Sequence, residues 1–303
     1  MGTPKKILSI AGSDSGGGAG IQADLKTISA LGCYGMTAIT ALTAQNTQGV
    51  RGIHAPPPEF LAQQIAAVFE DIGVDAVKIG MLHSPEIVRV VADALQQYQP
   101  AFVVLDPVMV ATSGDALITP QTKEAIVQAL FPLATVITPN LDELSLLVGR
   151  SITRPQEFES AAHAVLAMGA RSVLIKGGHL DQPNLVDVLY EPNLGSTRAS
   201  SSQVGSNHSP QSAERALTSF TITEIIRPKI HTKNLHGTGC TLSSAIACFL
   251  ARGYPLKNAV KGAQDYVYQA IKAGAELQIG HGHGPVNHFF APQAMVAHEA
   301  AQT

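Results

Sequence analysis

The densest chemistry in the chain lies at His236-Gly237-Thr238-Gly239-Cys240-Thr241, which runs straight into the apolar helical pattern of 242–250. Glycines ahead of a helix let backbone N–H groups converge on an anion, and the helix N-terminus adds about half a positive charge. Gly237, Thr238 and Gly239 therefore form a candidate phosphate cradle, although Gly-Thr-Gly is also the composition of a plain tight turn. Cys240 tips the reading toward chemistry. A thiol at a helix start has its thiolate favoured by the dipole and becomes a candidate base. Cys248, deeper in the same helix, reads as a small buried hydrophobe.

A second glycine-rich segment, Ala11-Gly12-Ser13-Asp14-Ser15-Gly16-Gly17-Gly18-Ala19-Gly20, follows a short apolar strand and leads into a helix. The Gly-x-Gly-x-x-Gly spacing from Gly16 fails at Ile21, and no Gly-Lys-Ser/Thr closes a P-loop. A dinucleotide-binding oxidoreductase is thereby disfavoured. Such a loop still lets backbone approach a ligand closely, and Asp24 on the following helix is expected to point its carboxylate into the same space.

These loops need a scaffold, and the hydrophobic rhythm supplies one. Apolar runs at 7–10, 36–43, 76–79, 102–105, 136–138 and 172–175 alternate with longer helix-period stretches such as 21–31. Runs of this kind read as buried parallel strands of an α/β fold, and ligands collect at the carboxyl ends of such strands. The whole of 1–303 is expected to form one domain. One Ser-rich stretch, 193–220, breaks the rhythm and reads as a flexible insertion between two strand-like flanks, 186–190 and 220–226.

Composition narrows the class further. Charged residues make up 14% of the chain and the formal net charge is −3, so no basic field exists to hold nucleic acid. The 3 cysteines have no CxxC spacing, which argues against a disulfide framework or structural zinc and for a reducing cytoplasm. The apolar run after Lys6 is too short for a signal-peptide core or a membrane span, so no membrane partner is expected.

Taken together, the glycine-rich stretch from Ala11 to Lys26, Leu42-Thr43-Ala44-Gln45-Asn46-Thr47, Lys78-Ile79-Gly80-Met81-Leu82, Val104-Leu105-Asp106-Pro107-Val108, Thr138-Pro139-Asn140-Leu141-Asp142-Glu143, Lys176-Gly177-Gly178-His179 and His236-Gly237-Thr238-Gly239-Cys240 closely resemble the hydroxymethylpyrimidine/phosphomethylpyrimidine kinases of thiamine biosynthesis, members of the ribokinase superfamily. The resemblance spans nearly the whole chain outside 193–220. It implies a ribokinase-like, mostly parallel central sheet flanked by helices on both faces, a homodimer, ATP and Mg2+ as cofactors, and two successive phosphorylations of a small-molecule pyrimidine. Carried over by motif, Gln45 holds the pyrimidine, with Ala19, Met81 and Val108 lining the ring pocket. A side-chain amide suits that task, since it offers one donor and one acceptor to a ring nitrogen beside an exocyclic amine.

The resemblance also implies that Asn140 and Glu143 organise magnesium and phosphates, that Asp106 adds a second carboxylate for the metal, and that Lys176 reaches the nucleotide phosphates. Asn140 is equally well placed to cap the helix at 141–147. Relatives often carry a lysine on the helix after the cradle, where this chain has Gln264 with Lys261 nearby. His281 and His283, in the glycine-rich ending 280–285, read as loop histidines and not as metal ligands. Two other readings compete: pyridoxal kinase, which needs the same hydroxymethyl chemistry, and a non-catalytic pyrimidine-binding regulator, whose expected sign would be loss of the cradle or the base.

Overall fold

A computed structural model describes residues 3–110, 117–178, 183–192, 220–295 and 297–298. The elements in chain order are β1 (Thr3–Pro4), β2 (Lys6–Asp14), α1 (Gly20–Ala30), β3 (Tyr34–Asn46), β4 (Gly49–His54), α2 (Pro58–Ala67), β5 (Ala76–Ile79), α3 (Pro85–Tyr98) and β6 (Phe102–Leu105). There follow α4 (Pro120–Leu130), β7 (Val136–Ile137), α5 (Leu141–Val148), α6 (Phe158–Ala167), β8 (Val173–Ile175), β9 (Asn184–Pro192) and β10 (Phe220–Pro228). The last elements are α7 (Thr238–Ala251), α8 (Leu256–Gly274) and β11 (Ala297–His298).

Among the described residues, one 9-stranded sheet runs in the order β10-β9-β8-β7-β6-β5-β2-β3-β4. The stretch from β3 through β2, β5, β6 and β7 to β8 is parallel, and antiparallel pairings add β4 at one edge and β9 and β10 at the other. Successive residues face opposite sides of the sheet and helices cover both faces, so these strands are apolar on both sides. Leu8, Ile10, Val77, Ile79, Val103 and Leu105 pack on one face with α2 to α6. Ile7, Ala76 and Val104 pack on the other with α1, α7 and α8. Each parallel strand therefore delivers its carboxyl-terminal loop to the same edge of the sheet.

The strand-like flanks of the Ser-rich stretch do pair, with Phe220 opposite Pro192 at the open end of the β9–β10 ladder. Residues 193–219 lie outside the described residues. No described helix is long and apolar enough to cross a membrane.

Candidate active site

The loops at the carboxyl ends of β2, β5, β6, β7 and β8 and the start of α7 enclose a cavity of about 560 Å³. Gln45, Ala19, Met81 and Val108 line it, and so do Asp106, Asn140, Glu143 and Lys176. Gly237, Thr238, Gly239 and Cys240 complete the wall. Asp24 does not line it. The carboxylate is fully buried behind the cavity, where it accepts from Ser9 Oγ (2.6 Å), Ser244 Oγ (2.8 Å) and Lys78 Nζ (2.8 Å). Lys78, itself 0% exposed, claims Asp24 as counter-ion, because a buried ammonium without a partner is costly.

The cradle forms because glycine is the one residue its geometry tolerates. Gly237 sits at φ +84°, and a Cβ there would come within 1.9 Å of the Gly18 carbonyl oxygen. α7 opens without a side-chain cap, so its first-turn amides depend on something other than the helix. The Thr238 amide donates to Leu235 O at 3.3 Å, and Thr241 to Gly237 O at 2.9 Å. The Gly239 and Cys240 amides take no such bond, which leaves them as the candidate anion donors of the first turn. A Cβ on Gly239 would point at Lys176 Nζ (3.3 Å) and Asp106 Oδ2 (3.4 Å), which places the helix start directly opposite that ion pair.

Lys176 Nζ bonds Asp106 Oδ1 at 2.8 Å and lies 3.8 Å from Glu143 Oε2. Asn140 and Glu143 form a reciprocal capping box on α5: the Glu143 amide donates to Asn140 Oδ1 (2.9 Å) and the Asn140 amide to Glu143 Oε2 (2.8 Å). Capping and cavity-lining thus fall on the same two residues. Burial pushes the Glu143 carboxyl up to about 7; Lys176 pulls it down and Asp106 pushes it up again. Two carboxylates sharing one lysine have room for further positive charge, and a hard dication held by one or two carboxylates plus substrate phosphates fits such a pair. No cluster of three metal-ligating side chains occurs among the described residues.

Burial also pushes the half-buried Cys240 thiol up, to about 11, with the Lys78 ammonium the strongest influence pulling it down. The helix start does not yield a thiolate here, because burial outweighs the pull of the Lys78 ammonium. Cys248 is fully buried, in keeping with its sequence pattern. Gln264 lines the cavity and bonds Asp187, whose other oxygen accepts from the Gly177 amide at 2.7 Å, whereas Lys261 is exposed. His283 reaches the cavity rim through a backbone bond to Thr47 O (2.9 Å).

Sequence reasoning missed one pair that builds the site. His236 Nε2 lies 2.9 Å from Asp14 Oδ2, and Asp14 also accepts the amides of Gly16, Gly18 and Ala19. The Asp14 carboxyl is held below its usual range: burial opposes this, but the His236 bond and the Ala19 and Gly16 amides outweigh it. The signal was present in the Asp flanked by glycines, yet nothing local named its distant partner.

Fold and site together define a ribokinase-like small-molecule kinase, with a glycine-rich helix start, a lysine–carboxylate cluster and the apolar Met81 and Val108 around one cavity. The phosphomethylpyrimidine kinase family model matches residues 14–209 and 203–287, and the chain belongs to that family. It is 47% identical to a hydroxymethylpyrimidine/phosphomethylpyrimidine kinase of Rhizobium meliloti over 93% of this chain and 96% of that one. It is 45% identical to a thiamine biosynthesis bifunctional protein, ThiED, of Geobacter sulfurreducens over 95% of this chain and 53% of that protein. Among solved structures, Staphylococcus aureus pyridoxal kinase in complex with AMP-PCP and pyridoxal shares the fold, with a TM-score of 0.80, 32% identity and coverage of 95% and 94% of the two chains.

Proposed function

We propose that this kinase transfers the γ-phosphoryl group of ATP to the hydroxymethyl of 4-amino-5-hydroxymethyl-2-methylpyrimidine, and then phosphorylates the monophosphate to the diphosphate, in thiamine biosynthesis. The observation that carries this reading is that one cavity holds Gln45, Met81 and Val108 together with the cradle, Lys176 and Cys240. A flat ring placed between Met81 and Val108 offers its polar edge to Gln45. Phosphoryl transfer then needs positioning and charge neutralisation more than covalent chemistry.

The Gly239 and Cys240 amides face the charge that develops on the transferring group, and Lys176 neutralises phosphate oxygens. Asp106 and Glu143 would hold Mg2+, which when bound neutralises and orients the phosphates. Cys240, once ionised to its thiolate, accepts the hydroxyl proton of the alcohol. The enzyme works as one domain spanning 1–303, as a cytoplasmic homodimer without nucleic-acid or membrane partners. Support for this lies in the low charge of the chain and in the apolar Leu42 and Ile53, 48% and 46% exposed on the edge pair β3–β4.

A coupled ADP-release assay with the hydroxymethylpyrimidine, its monophosphate and pyridoxal as acceptors tests the assignment. Turnover of both pyrimidines well above pyridoxal is expected. Preference for pyridoxal would move the chain to the other vitamin kinase, and ADP release with none of the three would leave a binding protein.

A further inference from the structure

Gln45 is held at three points. Ser15 Oγ donates to its carbonyl at 2.7 Å and accepts its amide N–H at 2.8 Å, fixing the backbone just where the β3–β4 register shifts between Ala44 and Gln45. A bulge of this kind re-aims a side chain. Thr43 lines the same cavity as Gln45. As placed, Gln45 Oε1 lies 3.1 Å from Thr43 Oγ1 and Gln45 Nε2 lies 3.5 Å from His236 Nε2.

Hydrogen accounting then orients the amide. Thr43 has one hydroxyl hydrogen, and the Ser13 carbonyl takes it at 2.6 Å. Toward Gln45, Thr43 can only accept. His236 Nε2 stands 2.9 Å from the Asp14 carboxylate and gives its one hydrogen there, so it has no lone pair with which to accept a Gln45 N–H. Both demands are met by turning the amide over, so that its NH2 lies on Thr43 and its carbonyl oxygen, in place of an N–H donor, faces His236. The terminal N and O of a glutamine are assigned by such a network.

We infer that Thr43, backed by the Ser13 carbonyl, is a specificity-determining residue that locks the Gln45 amide in one orientation and thereby selects acceptor rings with a ring-nitrogen acceptor beside an exocyclic amine donor. The inference rests on the reading of Gln45 as the ring-holding residue. One amide hydrogen and one oxygen lone pair remain for the ligand, in fixed order. An amino-pyrimidine edge matches that order. Its 4-oxo counterpart, with N–H beside C=O, presents the reverse, and the locked amide leaves both of its groups facing like partners. A site built to hydrogen-bond one pattern discriminates strongly against the other.

The test is the ratio of kcat/KM for the 4-amino acceptor to that for 5-hydroxymethyl-2-methylpyrimidin-4-one, with thermal melting as a check on folding. The wild-type ratio is expected to be about tenfold or more. Thr43→Val, which has the same shape but no acceptor, should cut the ratio to roughly threefold or less, since the freed amide can turn over, while the KM for ATP stays put. Thr43→Ala repeats the test should the valine variant melt early, and Thr43→Ser should restore the wild-type ratio. In Gln45→Ala, adding Thr43→Val should change the ratio no further. A wild-type ratio in both Thr43→Val and Thr43→Ala, or loss of the ratio in Thr43→Ser, overturns the locking role while leaving Gln45 in place. If Gln45→Ala itself leaves the ratio and the acceptor KM unmoved, it is the reading of Gln45 that fails.

Discussion

Asp14 Oδ2 and His236 Nε2 meet at 2.9 Å across 222 residues of sequence, and that one contact joins the first glycine-rich loop to the phosphate cradle. Because Asp14 also gathers the amides of Gly16, Gly18 and Ala19, the proposed ring pocket and the proposed phosphate cradle are shaped by the same carboxylate.

Asp14→Asn should therefore lower kcat/KM for the alcohol acceptor by roughly 10–100-fold, the worth of charge-assisted bonds at a buried site. Its pH signature has a definite sign. The folded Asp14 carboxyl lies below its ordinary value of 3.8, so it stabilises the native state above that pH and the contribution is lost as pH falls through the lower folded value. Urea unfolding of wild type and variant should show a stability difference that is flat above about pH 5 and closes toward pH 2. A difference that grew on acidification would contradict the assignment.

Cys240 predicts a split between the two phosphorylations. A primary alcohol keeps its proton at neutral pH, so a base helps its attack by roughly 10²–10⁴-fold, whereas a phosphate monoester with a second pKa near about 6 is already mostly dianionic. Cys240→Ala should cripple monophosphate formation and spare, in relative terms, diphosphate formation. With the thiol pushed up to about 11, the alcohol step should also quicken as pH rises from 7 to 9, and the second step should not. Equal losses in both steps, or parallel pH profiles, would show that Cys240 shapes the phosphate site without taking a proton.

Lys78 and Asp24 form a fully buried ion pair, and cutting one partner leaves the other uncompensated. Lys78→Met should cost about 3–5 kcal/mol of stability, and Lys78→Met with Asp24→Asn should recover most of it. Denaturant titration of the two variants reads the difference directly. Additive losses would mean that the partners act independently.

The Glu143 carboxyl, raised to about 7, binds its proton more tightly when folded than when unfolded. Its contribution is therefore most favourable at low pH and is lost as pH rises from about 4.5 to about 7. Glu143→Gln should be more stable than wild type at pH 8 and closer to it at pH 5, in metal-free buffer. Added magnesium with a nucleotide should raise the melting temperature of the wild type and not that of the variant.

Phe220 pairs with Pro192, so the chain leaves β9 and enters β10 at adjacent positions. Replacing 193–219 by a short Gly-containing turn should leave ATP-dependent activity within a few-fold, as hairpin loops of about 2–5 residues suffice to join antiparallel strands. Loss of folding on that replacement would show that the segment is needed.

The sequence by itself determined what local pattern can encode. Short continuous apolar runs named β2, β5, β6, β7 and β8, and Gly-Thr-Gly before an apolar helix named the cradle, because run composition and glycine's access to positive φ are properties of neighbouring residues. Asp24 shows the limit. Its place one helix after the glycine loop was readable, but its partner Lys78 comes from another strand, and that ion pair turned the carboxylate away from the cavity. Likewise the start of α7 was legible around Cys240, while the protonation of its thiol was decided by burial, which only the packed structure sets. Partner choice and desolvation depend on which strands the crossovers bring side by side, and no local period carries that information.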